Sequence, residues 1–223
     1  MEKALKRLKK ALADNHTANY AGENADKARL LVEKGQKPDY FFIACSDSRY
    51  APHALPGINY GDIFTAKHIA ALVPPYDAPE ATAIAAATDF AVDALGVKHI
   101  IIMGHTHCGG IEGIVKGKAP GAVGKWLKTA HLDVLKDLPD TTDTAHKCEL
   151  AEKNAIVWSY KNLATYPAVK KAMDENRLKI HGWRYNIENG SVEAYDPEQN
   201  GFIDFFTAES NTAPIEGAVS QLN

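Results

Sequence analysis

The chain has 223 residues, with 25 Lys plus Arg against 28 Asp plus Glu and 45% hydrophobic content, which suits one large α/β domain with a real core. The near balance of charge gives no overall field to favour nucleic acid, no stretch approaches the roughly 18 apolar residues of a membrane span, and the N-terminus lacks the apolar core of a secretory signal. The three cysteines, Cys45, Cys108 and Cys148, are too few and too unevenly placed for a disulfide framework, which points to a reducing compartment, read as the cytoplasm.

Residues 1–14 are amphipathic, with Leu5, Leu8 and Leu12 on one helical face and Lys3, Lys6, Arg7, Lys9 and Lys10 largely on the other. The apolar stripe has no Trp or Phe, so a helix packed against its own or a partner subunit is favoured over a membrane-surface helix. A second helix is predicted over 25–34, stopped by Gly35, which makes 1–34 a helical arm. The run Tyr40-Phe41-Phe42-Ile43-Ala44 is a buried strand ending at Cys45. A helix follows over 77–95, with Asp77 as N-cap, Pro79 in the first turn and Gly96 as its stop. His99-Ile100-Ile101-Ile102-Met103-Gly104 is the second buried strand. Further helices are predicted over 121–136, 148–163 and 167–176. Residues 178–185 alternate as a strand, Asn189-Gly190 marks a hairpin turn, and 191–195 return as its partner. From about Thr207 the chain is small and polar and reads as a tail. No repeat or linker interrupts this order, so 1–223 is expected to be one domain. The class is α/β: a mostly parallel sheet flanked by helices on both faces, with an antiparallel edge hairpin.

The chemistry-bearing residues lie where these strands end. Cys45 closes the first, and His105-Thr106-His107-Cys108 follows the second, at the edge where open α/β sheets gather ligands. Two Cys and one His converging there suit a catalytic zinc, which keeps its fourth position for water. By itself the His105–Cys108 spacing also fits a buried cysteine beside a hydrogen-bonded histidine. Gly109 and Gly110 permit close backbone approach. His107 reads as a neighbour of the site or a solvent-facing residue more than as a ligand, and Cys148 as a plain thiol. In Cys45-Ser46-Asp47-Ser48-Arg49, Arg49 can hold the Asp47 carboxylate bidentately, keeping it ionised and off the metal. Alone, that pair also reads as a solvated loop ion pair.

Taken together, Cys45-Ser-Asp-Ser-Arg49 and Gly104-His105-x-x-Cys108-Gly-Gly110 strongly resemble the β-class carbonic anhydrases, over about 35 to 195. Gly61-Asp62-Ile63-Phe64, Val73-Pro74-Pro75-Tyr76-Asp77, Gly124-Lys125-Trp126, Asn162-Leu163-x-Thr165-Tyr166-Pro167 and His181-Gly182-Trp183 support the likeness. The resemblance implies one Zn2+ per chain on Cys45, His105 and Cys108, the dyad Asp47 and Arg49 as catalytic residues, and reversible hydration of CO2 to bicarbonate by zinc-bound hydroxide. It resembles the plant-like subgroup, in which a glutamine at the place of Gln36 hydrogen-bonds substrate. Phe64, Ile69 and Phe90 match the family's apolar substrate pocket, and the Gly109 amide is expected to help fix a metal-bound thiolate. That pocket spans a dimer interface in the family, so a dimer or a multiple of dimers is implied. Carbon disulfide or carbonyl sulfide hydrolysis is an alternative activity, and a non-catalytic zinc protein with Asp47 as fourth ligand is another. His53, His68 and His107 are candidate proton carriers. The chain departs from the family where Lys67, His68 and Ala71 replace an Arg, an Asn and an Asn. Lys67 keeps a charge without the planar fork.

Overall fold

Alternation within the strands decides which layer each side chain joins, and two layers result. The computed structural model describes residues 2–22, 24–55 and 58–208. Strands β1 (Tyr40–Cys45), β2 (Ile63–His68), β3 (His99–His105), β4 (Lys179–Tyr185), β5 (Val192–Asp196) and β6 (Gly201–Asp204) form one sheet in the order β2-β1-β3-β4-β5-β6. The β2-β1-β3-β4 part is parallel, and β5 and β6 add antiparallel pairs at one edge. The helices are α1 (Glu2–Tyr20), α2 (Asn24–Lys34), α3 (Thr82–Asp89), α4 (Gly109–Val115), α5 (Gly121–Leu127), α6 (His131–Val134), α7 (Thr144–Leu163), α8 (Pro167–Asp174) and α9 (Phe205–Ala208).

Phe41, Ile43, Ile100, Ile102 and Ile180 point to one face, where α3 and α8 cover them with Ile84, Val169 and Ala172. Phe42, Ala44, Ile101 and Met103 point to the other, against Ile111, Ile114, Leu127, Val134, Ala151 and Ala155 of α4 to α7. Full burial of each large aliphatic side chain contributes roughly 1.5–3 kcal/mol, so the period-2 pattern fixes the register of the central strands. The expected mostly parallel sheet with helices on both faces and an antiparallel edge is thus the fold of the chain. No helix of the described residues is long and apolar enough to cross a membrane.

Several boundaries differ from expectation. Between 77 and 95 the first turn is a 3-10 turn, Pro79–Ala81, and the last is a π-helical turn, Phe90–Leu95, so Asp77 caps nothing and only the stop at Gly96 (φ 68) holds. The Ala78 N–H goes to the Pro75 carbonyl, so the proline-framed turn delays the helix. The predicted 121–136 helix breaks into α5 and α6 at 128–130, and α7 starts earlier than Cys148 because Asp143 caps the Ala145 and His146 amides. Strands β2 and β6 were not predicted. β2 carries Thr65, Lys67 and His68 on a sheet edge with no clean alternation, and β6 has only four residues. The expected tail lies mostly outside the described residues.

Gly104 and Gly182 form a shelf on which Ile156 of α7 rests. A Cβ at Gly104 would meet Ile156 Cδ1 and Cγ1 at 2.8 Å, and one at Gly182 would meet Ile156 Cγ2 at 2.8 Å. The missing side chains let α7 sit close to the sheet beside the end of β3. Gly104→Ala is therefore expected to cost about 1–3 kcal/mol in denaturant unfolding. Ile156→Val, which removes only Cδ1, should recover part of that loss at Gly104 and none at Gly182→Ala; equal recovery at both would refute the shelf.

Candidate metal centre

Parallel pairing of β1 with β3 sets their carboxyl ends side by side, which places Cys45 beside the end of the strand that carries His105. After His105 the chain reverses through His107, which takes a left-handed conformation (φ 57), and Cys108 arrives at the N-cap of α4. The candidate ligand atoms of Cys45, His105 and Cys108 all lie within 4.8 Å of one another, and all three residues are buried. His105 Nδ1 lies 2.8 Å from the Thr106 carbonyl oxygen. A carbonyl only accepts, so Nδ1 carries the hydrogen and Nε2 presents its lone pair. That Nε2 is buried with no hydrogen-bond partner. A buried acceptor without a partner costs about 1–3 kcal/mol, a cost that a metal ion on Nε2 removes. One imidazole nitrogen and two sulfurs are the donors zinc takes.

The two sulfurs bear on one another, so that only one of the thiols ionises readily. The Cys45 thiol is held below its ordinary value, first by a hydrogen bond from Cys108 and then by the amides of Asp47 and Ala70, while burial opposes. The Ala70 N–H donates to Cys45 Sγ at 3.3 Å. Cys108 is pushed up by sharing that proton and by burial. The amides that bear on its sulfur are those of Ile111 and Gly110. Gly109, also expected to supply one, opens α4, where its amide has no partner within the helix.

Asp47 stands beside the cluster without joining it. Its Oδ1 accepts from Arg49 Nε (2.9 Å) and the Arg49 amide (2.9 Å), and its Oδ2 accepts from Arg49 Nη2 (2.7 Å). Arg49 Nη2 also donates to the His107 carbonyl at 2.8 Å, so one guanidinium ties the Cys45 loop to the His105–Cys108 loop. Arg49 holds the Asp47 carboxyl well below the usual carboxylate range. Asp47 Oδ2 is 3.8 Å from His105 Nε2, and so faces the place a metal would take.

The remaining predicted residues are spread more widely. Phe64 of β2 is half-buried between Phe41 and Phe90, with ring centroids 5.4 and 5.9 Å away, and Phe90 is exposed. Ile69 lines an open, mostly apolar hollow of about 570 Å³ together with Ser46, Lys67, Trp126 and others, and neither Phe64 nor Phe90 lines it. Gln36 is exposed on the loop between α2 and β1, and no hydrogen bond among the described residues links it to the cluster. Of the histidines, His53 is bonded to Thr65 and His107 is exposed beside Glu188. His68 is turned inward, its Nε2 2.7 Å from the Leu72 carbonyl, and burial pushes its pKa down. Cys148 borders a second hollow of about 840 Å³, which His107, Cys108, Glu152 and Arg184 also line.

Sequence reasoning missed Tyr50 and gave Trp126 no place at the site. The Tyr50 hydroxyl accepts from the Cys45 amide and donates to the Met103 carbonyl, both at 2.9 Å, and its ring lies 5.0 Å from that of His105. Its signal was its place directly after the Cys-Ser-Asp-Ser-Arg run. Trp126 Nε1 donates to the Ile69 carbonyl, and its indole packs edge-on to His68.

A Cys–His–Cys cluster at the carboxyl edge of a mostly parallel sheet, with a clamped carboxylate beside it, defines an α/β protein with a candidate metal centre. Comparison with known proteins narrows that class: the chain belongs to the β-carbonic anhydrase family. The carbonic anhydrase family profile matches residues 40–192. Carbonic anhydrase of Synechocystis sp. is 36% identical over 179 residues, 77% of this chain and 65% of that protein, so the chain spans just under two thirds of that relative's length. The structure of the β-carbonic anhydrase CcaA superposes with a TM-score of 0.79 at 32% identity, over 90% of this chain and 99% of that one. One of two tetrameric β-carbonic anhydrases from Sordaria macrospora gives a TM-score of 0.72 at 30% identity, over 85% of this chain and 96% of that one.

The segment that departs from the family is strained. Ala70 (φ 63) and Ala71 (φ 52) are both left-handed, a region disfavoured by roughly 1–2 kcal/mol for a residue with a Cβ. His68, on Leu72, and Trp126, on Ile69, brace it. Ala71→Gly is expected to leave stability within about 0.5 kcal/mol of the parent, because relieved strain offsets the lost methyl and the added chain entropy. Ala85→Gly, buried in the right-handed helix α3, should cost at least about 1 kcal/mol. Equal losses in denaturant unfolding would show that no strain is stored at Ala71.

Proposed function

We propose that the chain is a zinc-dependent carbonic anhydrase of the plant-like kind, catalysing the reversible hydration of CO2 to bicarbonate and a proton. The observation that carries this reading is the buried, unpartnered His105 Nε2 facing two sulfurs, beside a carboxylate whose two oxygens are both occupied by Arg49. Cys45, His105 and Cys108 hold the ion, one per chain. Zinc, when bound there, supplies the activation of water that hydration at neutral pH requires.

The rest of the chemistry falls to the protein. Asp47, kept ionised by Arg49, accepts a hydrogen bond at Oδ2 and orients the attacking water for the carbon of CO2. Its fork with Arg49 disfavours the rival reading in which Asp47 is a permanent fourth ligand. CO2 rests against apolar side chains, with Ile69, Phe64 and Phe90 as the candidates, and Gln36 orients a substrate oxygen. Those residues are not gathered around one hollow of a single chain, which favours a pocket completed in a dimer or a multiple of dimers. Exposed Leu5, Leu8 and Leu12 on α1 and the tetrameric relatives support self-association. His107, exposed beside the cluster, is the candidate to pass the proton to buffer. The free cysteines fit a reducing compartment such as the cytoplasm.

Zinc stoichiometry and CO2 hydration measured on the same sample test the whole reading. Cys45→Ser, His105→Ala and Cys108→Ser should each lose zinc and activity together, because three protein donors leave no spare; full zinc content in all three would refute the ligand set. Asp47→Ala should lower kcat about 100-fold or more while keeping most of the zinc. Loss of the metal in that variant would make Asp47 a ligand. Two thiolates offset most of the charge of the ion, so activity should rise toward alkaline pH. A flat rate from pH 6 to 9 would contradict this.

A further inference from the structure

The backbone N–H of Cys108 does not enter the helix it caps. It donates to Glu152 Oε1 at 3.1 Å. Glu152 lies on α7, one turn before the Ile156 that rests on the glycine shelf, and is 4% exposed. Its other oxygen accepts two bonds from Arg184 of β4, from Nε at 3.0 Å and Nη2 at 2.8 Å. Arg184 Nη1 continues to Glu193 Oε2 at 2.6 Å, and Lys153 Nζ holds Glu193 Oε1 at 2.8 Å. Every charge in this chain of groups has an opposite partner, and it ends on the amide of a candidate metal ligand.

A buried ion pair is a weak device for stability, since apolar side chains of the same volume serve as well or better. What apolar side chains lack is a fixed acceptor for the Cys108 amide. We propose that Glu152, anchored by Arg184, is a positioning residue: it pins the turn through Cys108 so that the sulfur stays in line with Cys45 and His105, and it thereby sets the affinity of the site for zinc. This rests on the reading of the cluster as a zinc site. It adds residues from α7 and β4 that lie outside the cluster of Cys45, His105 and Cys108.

The test uses the full chain, with zinc affinity read by competition with a chromophoric chelator and Co2+ as a spectroscopic probe of the ligand geometry. Glu152→Ala should bind zinc about 10- to 100-fold more weakly and alter the Co2+ absorption bands. The apolar pair Glu152→Met with Arg184→Met leaves no stranded charge, should melt within a few degrees of the parent without metal, and should show the same loss of affinity. Glu152→Gln, which keeps an oxygen acceptor, should fall between. Unchanged affinity and spectrum in the apolar pair would overturn the proposal. So would a loss confined to Glu152→Ala, which would assign the effect to the unpaired Arg184. A parent protein that takes up no zinc would overturn the metal reading itself, and this proposal with it.

Discussion

Everything at the site depends on the parallel pairing of β1 with β3. Because the two strands run the same way and pair from Tyr40 with His99 to Ala44 with Met103, they deliver a cysteine and a histidine to the same edge of the sheet. An antiparallel pairing would send them to opposite edges. The apolar runs are therefore more than core material: the burial of Phe41, Ile43, Ile100 and Ile102 on one face and of Phe42, Ile101 and Met103 on the other sets the register. A slip of one residue would reverse both faces and carry Cys45 away from His105.

Around that frame, a second set of bonds holds the donors in place. Tyr50 clips the Cys45 amide to the Met103 carbonyl, Thr106 fixes the tautomer of His105 through its carbonyl, and Arg49 joins the two loops through Asp47 and the His107 carbonyl. Each of these is buried or close to a buried group, where a missing partner costs more than a good hydrogen bond gains. Two sulfurs placed this close disfavour a second thiolate charge beside the first. The surrounding bonds hold the cluster together against that tendency.

The sequence made β1, β3, β4 and β5 legible because buried runs and a clear alternation leave little choice of conformation. β2 stayed hidden because an edge strand need not alternate, and Thr65 and Lys67 carry no apolar signal. The Cys45, His105 and Cys108 cluster and the Asp47–Arg49 fork were readable because their partners lie within a few residues or at strand ends. Tyr50 was not, since its role requires knowing that β3 passes beside β1. Glu152 and Arg184 were invisible for a stronger reason: they meet only because α7 sits on Gly104 and Gly182, a contact between segments far apart in the chain. Gln36, Phe64 and Phe90 rested on resemblance alone, and a single chain does not bring them to one hollow.

The departure at Lys67, His68 and Ala71 falls on a turn whose backbone path serves the site. An asparagine tolerates the left-handed backbone because its short polar side chain bonds locally, and alanine at position 71 does not. Here the imidazole of His68 reaches the Leu72 carbonyl across the turn, and Trp126 secures the Ile69 carbonyl from α5. The turn is then held by side chains that brace it from outside instead of by amides within it. What must be preserved is the Ala70 N–H aimed at Cys45 Sγ, because that bond favours the thiolate a metal needs. Any residues that keep the two carbonyls tied keep that amide in place, so the site constrains the path of the backbone more tightly than the identity of the side chains along it.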